Sequence, residues 1–184
     1  LIGEEGVSAD PDLLGKLAGA ELAIVIDPVD GTLNYASGLT LFASMAAVIV
    51  RGEIVAAVIH DPVVNDCAMA LRGEGAWLER PDGRRDDLKV AKALPLSEMT
   101  GMVSYKYFAE PLRSTLPARF PRASEVAALR CCGQEYRLAA AGHCHFLAYG
   151  KLMPWDHAPG SLLHREAGGY SDLINGSPYQ PALH

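Results

Sequence analysis

Short apolar runs separated by glycine-containing turns characterise the first half of the chain. Residues 22–26 form an apolar run that is typical of a buried strand. Four further strands are predicted, at 41–50, 54–60, 67–71 and 76–78. Strands that follow one another so closely, joined by tight turns such as Arg51-Gly52-Glu53, favour an antiparallel meander. The charged residues at 81–87 are predicted to form a solvated turn.

The second half of the chain alternates short strands with helical patterns. Helices are predicted at 108–116, 133–141 and 155–167. Strands are predicted at 100–105 and 143–149. This order predicts an α+β fold, in which helices are layered on mixed and antiparallel sheets. Because no linker-like stretch interrupts the pattern, residues 1–184 are predicted to form a single domain.

Composition and charge limit the classes of function. The chain has 184 residues, of which 49% are hydrophobic, enough for one domain with a sizeable core. Its formal net charge of −6 disfavours a nucleic-acid-binding surface, which needs clustered Lys and Arg, so no nucleic-acid partner is expected. No stretch has the length and apolarity of a membrane span, and no signal peptide is visible. We therefore expect a cytoplasmic protein with no membrane partner.

The cysteines do not point to a disulfide scaffold or to zinc. Four cysteines in a chain of this length are more typical of reduced thiols in a cytoplasmic protein. Cys131 and Cys132 could be combined with the segment His143-Cys144-His145 into a zinc site. Adjacent cysteines chelate one tetrahedral ion poorly, however, and Cys144 on a strand would point away from both histidines. Packed core thiols are the preferred interpretation.

The segment Asp27-Pro28-Val29-Asp30-Gly31-Thr32 is the strongest candidate for chemistry. It follows the first buried strand, so two carboxylates and a hydroxyl cluster where that strand ends. Pro28 restricts the backbone, and Gly31 lets it approach a ligand closely. Hard divalent cations prefer such oxygen clusters. The same residues also form ordinary turns, in which Thr32 would be a turn hydroxyl, so this segment alone does not decide between the two.

Two further acidic positions strengthen the metal interpretation. Glu4 lies near the start of the chain, and Asp156 lies at the start of the last predicted helix. Each has an ordinary alternative, because Glu4 could be a solvated loop acid and Asp156 could cap its helix. Taken with Asp27 and Asp30, however, these two further carboxylate sites favour a metal site over a plain turn.

Three motifs together resemble a known family. They are Gly-Glu-Glu at 3–5, Asp-Pro-Val-Asp-Gly-Thr-Leu-Asn-Tyr at 27–35, and Trp-Asp-His-Ala-Pro-Gly at 155–160 followed by Glu-Ala-Gly-Gly at 166–169. In this order they resemble the inositol monophosphatase family of magnesium-dependent, lithium-sensitive phosphatases. The resemblance implies a layered αβαβα sandwich, a homodimer and two or three Mg²⁺ ions. It also implies that elements at both ends of the family fold lie outside this chain, including a segment with a catalytic Asp and Thr.

The resemblance assigns roles to individual residues. It implies that the metal ligands are the side chains of Glu4, Asp27, Asp30 and Asp156 and the backbone carbonyl of Val29. It implies that Thr32 assists catalysis with these acids, and that Gly31 and Thr32 bind the phosphate. The residues implied to contact the rest of the substrate are Gly133, Gln134, Glu135, Tyr149 and Asp156. Tyr149 stands where members that act on inositol phosphate often carry Glu, which makes inositol phosphate a weaker expectation than the reaction itself.

The expected function is Mg²⁺-dependent hydrolysis of a small phosphate monoester by metal-activated water. Inositol, sugar and related polyol phosphates are the first candidates for the substrate. Histidinol phosphate, fructose 1,6-bisphosphate and 3′-phosphoadenosine phosphate remain open, because relatives act on them. A second class of function is a regulatory protein that uses the same fold to bind the transcription machinery.

Overall fold

The computed structural model describes residues 1–183, and its largest element is a seven-stranded sheet whose strands lie in sequence order. These strands are β1 Ile2–Gly3, β2 Leu22–Asp30, β3 Ala43–Val50, β4 Glu53–Asp61, β5 Asp66–Leu71, β6 Gly75–Glu79 and β7 Arg85–Asp87. From β2 to β7 each strand pairs antiparallel with the next, which confirms the predicted meander. Only β1 departs from it, because it pairs parallel with β2. A solvated turn was predicted where β7 lies. The residues of β7 are exposed, but they pair with β6 and extend the sheet.

A second, three-stranded sheet has all its strands parallel, in the order β10-β8-β9. Its strands are β8 Thr100–Ser104, β9 Glu125–Ala127 and β10 Phe146–Tyr149. The predicted strand at 143–149 begins only at Phe146, because His145 is used to hold the start of β8. The backbone N–H of His145 donates to the Thr100 carbonyl. The Nδ1 atom of His145 accepts from the Thr100 N–H at 3.1 Å.

Among residues 1–183, six α-helices connect or cover the strands. They are α1 Glu4–Ala9, α2 Asp12–Gly15, α3 Thr32–Ala36, α4 Leu112–Thr115, α5 Cys132–Ala140 and α6 Pro154–Glu166. The two longest, α5 and α6, agree with the predicted helices to within one residue at each end. They pack against each other, α6 covers the meander, and α5 contacts β10, so the two lie between the sheets. Within residues 1–183 the structure thus shows a mixed, mostly antiparallel α+β fold, the class predicted from the sequence.

The predicted helix at 108–116 is largely wrong. Only Leu112–Thr115 is α-helical, and a 3₁₀ segment, Pro117–Arg122, follows it. The reason is the prolines at 111, 117 and 121, which lack the N–H group that an α-helix needs from each interior residue. In the described residues no helix is both long enough and apolar enough to cross a membrane.

The contact between α5 and α6 brings their N-terminal ends together. Gly160 in α6 lies so close to α5 that a Cβ added there would stand 2.0 Å from the ring of Tyr136. At the same end of the pair, the Cys132 thiol donates to the Asp156 carbonyl at 3.2 Å. The Gly133 N–H donates to the Asp30 carboxylate at 2.6 Å, which joins this end of the helices to the end of β2. The predicted acids meet at this junction.

Candidate active site

A cavity of about 410 Å³ lies where the end of β2 meets the first turns of α1, α3, α5 and α6. The acids on its lining, here called the carboxylate floor, are Glu4, Asp27, Asp30 and Asp156. Asp27 and Asp30 are only 2% and 9% exposed, whereas Glu4 is open to solvent. Glu4 does not lie on a loop as expected but is the first residue of α1, directly after β1. The structure therefore brings all four predicted acids into one cavity.

The end of β2 is shaped so that two acids three residues apart serve the same site. Residues an odd number of positions apart on a regular strand point to opposite faces of the sheet. The pairing of β2 with β3 shifts register between Asp27, opposite Met45, and Asp30, opposite Ala43. This irregularity inserts one extra residue and re-aims the strand, as β-bulges do beside active sites. The Val29 N–H then donates to Asp27 Oδ1 at 3.0 Å.

Gly31 and Thr32 follow the bulge and close one side of the cavity. Gly31 has φ +83°, and a Cβ on it would stand 2.9 Å from the Leu41 carbonyl oxygen, so both backbone conformation and space favour glycine. Thr32 starts α3, and its hydroxyl donates to the Val29 carbonyl at 2.9 Å. The predicted carbonyl ligand and the predicted catalytic hydroxyl are thus in direct contact.

Asp30 is held in place by the first turn of α5. Its Oδ2 accepts the Gly133 N–H at 2.6 Å and the Cys131 thiol at 3.1 Å. A Cβ on Gly133 would stand 2.6 Å from Met45 Sδ and 3.1 Å from the same carboxylate oxygen. Glycine at 133 therefore lets the α5 backbone approach Asp30 closely enough to donate this hydrogen bond. Cys131 was not predicted to have such a role.

Burial and crowding raise the pKa values of Asp27 and Asp156. Burial raises the pKa of Asp27 most, and the neighbouring charges of Asp30 and Glu4 raise it further. The pKa of Asp156 is also raised, first by burial and then by the charges of Asp27, Asp30 and Glu4. The floor therefore holds more negative charge than its surroundings neutralise.

A hard divalent cation fits the chemistry of this donor set. All the donors are oxygens, the ligands that Mg²⁺ prefers, and a bound cation would relieve the repulsion that raises the two pKa values. The side chains are not preassembled as a metal shell: among residues 1–183, no three His, Cys, Asp or Glu side chains are grouped closely enough to hold an ion. Asp27 Oδ1 and Asp30 Oδ2 instead accept hydrogen bonds from protein groups. Binding a cation through these oxygens would require the side chains to rotate.

The lining of the same cavity also carries positive charge. Its basic residues, here called the cationic wall, are Lys106, Arg130 and Lys151. Tyr105 and Tyr107 line the cavity beside Lys106. No sequence motif indicates Lys106 or Lys151. They reach the same cavity because β8 and β10, which precede them, are neighbours in the second sheet.

The residues predicted to contact the substrate divide into two groups. Tyr149 and Asp156 line the cavity. Gln134 and Glu135 do not, because the helical turn of α5 directs them elsewhere. Gln134 Nε2 donates to the Phe42 carbonyl at 3.0 Å and to Asp61 Oδ2 at 2.8 Å.

Glu135 is buried and accepts the Leu129 N–H at 2.7 Å. It lies beside the Tyr149 hydroxyl, whose proximity tends to lower the pKa of Glu135, although burial raises it overall. Gln134 and Glu135 therefore hold neighbouring groups of the protein in this structure, and their contact with the substrate stays a prediction. The Gly133 backbone N–H is likewise used on Asp30.

Comparison with known proteins decides the family. The model of the inositol monophosphatase family matches residues 1–183. The chain belongs to this family. Among its curated relatives in the inositol monophosphatase family is the fructose-1,6-bisphosphatase/inositol-1-monophosphatase of Thermotoga maritima, 29% identical over 170 residues that cover 92% of this chain and 60% of the relative. Another is the Nus factor SuhB of Escherichia coli, 34% identical over 90% of this chain and 62% of the relative.

Solved structures of inositol monophosphatases share the fold. The IMPase of Thermotoga maritima is 27% identical, with a TM-score of 0.76 over 88% of this chain and 61% of that one. Inositol monophosphatase II of Staphylococcus aureus, at 23% identity, has a TM-score of 0.83 over 98% of this chain and 64% of that one, which shows likeness of fold alone. The chain thus spans a little over three fifths of the length of these relatives.

Proposed function

We propose that this cavity hydrolyses a small phosphate monoester, of inositol, a sugar or a related polyol, with Mg²⁺ as cofactor. The observation that carries the proposal is the convergence of the four acids of the carboxylate floor, from β2, α1 and α6, on one cavity that also holds the Val29 carbonyl and the Thr32 hydroxyl. Family membership supports the same reaction class.

Two or three Mg²⁺ ions, when bound, would supply a lowered pKa for water and stabilisation of the leaving oxygen. We propose that Glu4, Asp27, Asp30, Asp156 and the Val29 carbonyl hold them. For this, Asp27 and Asp156, whose pKa values burial raises, must be deprotonated, while the Gly133 N–H and the Cys131 thiol hold Asp30 in place.

The remaining site residues would position the reactants. We propose that Glu4 and Thr32 orient the attacking water, and that the Gly31 backbone and the Thr32 hydroxyl bind the phosphate. All of these groups line the cavity beside the carboxylate floor. Tyr149 and Asp156 would face the alcohol portion of the ester, and Gly133 would act by holding Asp30.

The test measures phosphate release from a panel of phosphate esters by the purified 184-residue chain at increasing Mg²⁺ concentrations. We expect hydrolysis that requires Mg²⁺ and that is lost in Asp156→Asn. The matched control is Asp12→Asn, an exposed acid outside the cavity, which should keep full activity. Equal activity with and without divalent metal, or an active Asp156→Asn, would contradict the proposal.

A regulatory role is the second candidate, because several relatives at 32–34% identity are Nus factors named SuhB. In that case the chain would bind the transcription machinery through its surface, and the cavity would be dispensable. Co-purification of RNA polymerase or its elongation factors with both the native chain and Asp27→Asn would favour this candidate. Absence of any such complex, together with Mg²⁺-dependent hydrolysis, would exclude it.

We also propose that the protein is a cytoplasmic homodimer. The support is family membership for the dimer and the four free cysteines, which are typical of a reducing compartment, for the location. Light scattering on the purified chain measures the oligomeric state directly. A monomer at micromolar concentration would contradict the dimer.

A further inference from the structure

We propose that Asn34 is a positioning residue for the candidate active site, because its buried amide ties together two backbone segments that pack against Gly31. Asn34 is 1% exposed and lies in α3, two residues after Thr32. Its Nδ2 donates to the Leu41 carbonyl at 2.8 Å and to the Leu129 carbonyl at 2.7 Å. These two hydrogen bonds are here called the amide clamp. The role deepens the function proposed above and rests on it.

An amide is the side-chain group that suits this position. Among side chains of this length, an amide offers two N–H donors, whereas a carboxylate offers none and a hydroxyl offers one. The opposite orientation of the Asn34 amide would place Oδ1 against two carbonyl oxygens, so the surroundings decide which end is the nitrogen. Oδ1 is buried and has no hydrogen-bond partner among residues 1–183. A buried acceptor without a partner costs stability, which indicates that the two donors are what this position requires.

The first arm of the clamp holds the segment that leads into β3. A Cβ on Gly31 would stand 2.9 Å from the Leu41 carbonyl oxygen, the same oxygen that accepts from Asn34. Thr32, which is proposed to bind the phosphate together with Gly31, belongs to the same short helix as Asn34. The clamp therefore fixes these two residues against the segment beside them.

The second arm holds the segment that leads into α5. The Leu129 N–H donates to Glu135 at 2.7 Å, so the N–H and the carbonyl of Leu129 are both bound by buried side chains. Two residues later, the Cys131 thiol donates to Asp30 Oδ2 at 3.1 Å. The clamp thereby joins α3 to a residue that holds one carboxylate of the floor.

Arg130, between Leu129 and Cys131, has a backbone conformation that local preference opposes. Its φ is +59°, in the left-handed region that is uncommon for a residue with a side chain. Such a conformation persists only where the surrounding structure determines it, and it clusters at functional sites. Loss of the clamp should release Leu129, let Arg130 relax and withdraw the Cys131 thiol from Asp30.

The first test compares Asn34→Ala with the native chain at a temperature where both are folded. Calorimetric titration with Mg²⁺ reports on the carboxylate floor without any hydrolysis. We expect Asn34→Ala to weaken Mg²⁺ binding about 10-fold, the size expected for loss of a hydrogen bond to a charged group. The kcat/KM for the ester that the native chain hydrolyses best should fall by a similar factor. Native values of both in Asn34→Ala would overturn the inference and leave the proposed function intact.

A double-mutant cycle separates positioning from a merely structural role. Arg130→Gly and Arg130→Ala remove the same charge, but only glycine adopts the left-handed conformation without strain. Asn34→Ala should therefore weaken Mg²⁺ binding about 10-fold in the Arg130→Ala background and no more than about 3-fold in the Arg130→Gly background. Equal losses in the two backgrounds would overturn the inference. The same cycle with Asn34→Ser, which keeps one donor, should show a smaller difference of the same sign and replaces the first if Asn34→Ala does not fold.

The matched control for loss of stability is Ile49→Ala. Ile49 is 1% exposed, lies outside the cavity lining and pairs with Ala23, at the end of β3 away from the floor. The substitution leaves a cavity in the core, so it should lower the melting temperature while Mg²⁺ affinity stays within about 2-fold of the native value. If Ile49→Ala weakened Mg²⁺ binding as much as Asn34→Ala, lost stability would explain both results and the inference would fail. Absence of Mg²⁺-dependent hydrolysis in the native chain would overturn the proposed function, and the Mg²⁺ titrations would still test the clamp.

Discussion

The carboxylate floor and the cationic wall both belong to the lining of one cavity, but they are built differently. The floor includes the buried side chains of Asp27 and Asp30, in a strand of the meander that helix α6 covers. The wall consists of exposed side chains on segments that follow β8 and β10 or precede α5. Packing therefore fixes the floor directly, whereas it fixes only the backbone beneath the wall.

The difference indicates which lining residues can be substituted without disturbing the core. A change at Asp27, Asp30 or Gly133 disturbs the core as well as the site, because each is buried against several neighbours. A change at Lys106 or Lys151 alters only an exposed head group. Substitutions in the floor are therefore expected to affect both folding and the proposed hydrolysis, whereas substitutions in the wall are expected to leave the core intact.

The largest expected effect is that of Asp27→Asn. This substitution keeps the shape of the side chain but removes the negative charge at the centre of the floor. Metal-ion catalysis contributes several kcal/mol to such reactions, so loss of the ions should lower kcat by about 1000-fold or more. Phosphate release and calorimetric Mg²⁺ binding should both be lost. A kcat within about 10-fold of the native value would contradict the proposed role of Asp27 in the carboxylate floor.

The floor was largely predictable from the sequence because its residues lie in contiguous motifs. Asp27 to Thr32 follow an apolar run, and Asp156 lies at the start of a helix that shows the expected periodicity and end signal. The strands of the meander were found for the same reason, since alternation and turn residues are local features. No local signal placed Glu4 beside Asp27; the resemblance to a family did.

The wall was not predictable, because it depends on which strands are neighbours. Lys106 and Lys151 are separated by 45 positions, and only the pairing of β8 with β10 brings them to one cavity. The direction of the Gln134 and Glu135 side chains also depends on tertiary contacts, with Phe42, Asp61 and Leu129. Non-local contacts of this kind leave no period or spacing in the sequence.

Gly133→Ala should disturb the floor through packing alone. The new Cβ would stand 2.6 Å from Met45 Sδ and 3.1 Å from Asp30 Oδ2, so either α5 or the carboxylate must move. Overpacking of a core site typically destabilises by about 1–3 kcal/mol, and displaced Asp30 should lower kcat by about 10-fold or more. Urea unfolding and phosphate release measure the two effects.

The matched control for Gly133→Ala is Gly15→Ala. Gly15 has an ordinary helical backbone, with φ −63°, and nothing lies within 4 Å of an added Cβ. This substitution should leave activity unchanged and should stabilise slightly, by about 0.4–1 kcal/mol. If both alanine variants lost activity equally, the effect at 133 would not come from contact with Asp30.

The stability of the metal-free protein should depend on pH through the floor. The pKa values of Asp27 and Asp156 are raised on folding, mainly by burial, so the folded state binds protons more tightly than the unfolded state. This contribution is complete below the unfolded pKa of about 4 and is lost as pH rises through the raised folded values. The midpoint of thermal unfolding in EDTA should therefore fall between acidic and slightly alkaline pH.

Asp156→Asn isolates that pH dependence, because it removes one of the two interacting acids. The fall in melting temperature with rising pH should be shallower than in the native chain, and Mg²⁺ should no longer raise the melting temperature at alkaline pH. Lys151→Gln, which changes the cationic wall, should keep the steep fall of melting temperature with rising pH that the native chain shows. Identical slopes in Asp156→Asn and the native chain would show that the floor is not a source of repulsion.

The smallest expected effect is that of Cys131→Ser, which changes the donor to Asp30 but does not remove it. The Cys131 thiol lies 3.1 Å from Asp30 Oδ2, and burial raises its pKa, so it stays protonated and donates. Serine keeps an O–H donor, so Mg²⁺ affinity should change by no more than about 2-fold, while Cys131→Ala should weaken it about 10-fold through loss of a hydrogen bond to a charged group. Calorimetric Mg²⁺ titration separates the two variants. If Cys131→Ala and Cys131→Ser bound Mg²⁺ equally well, the thiol would not contribute to holding Asp30, and the Gly133 N–H alone would hold it.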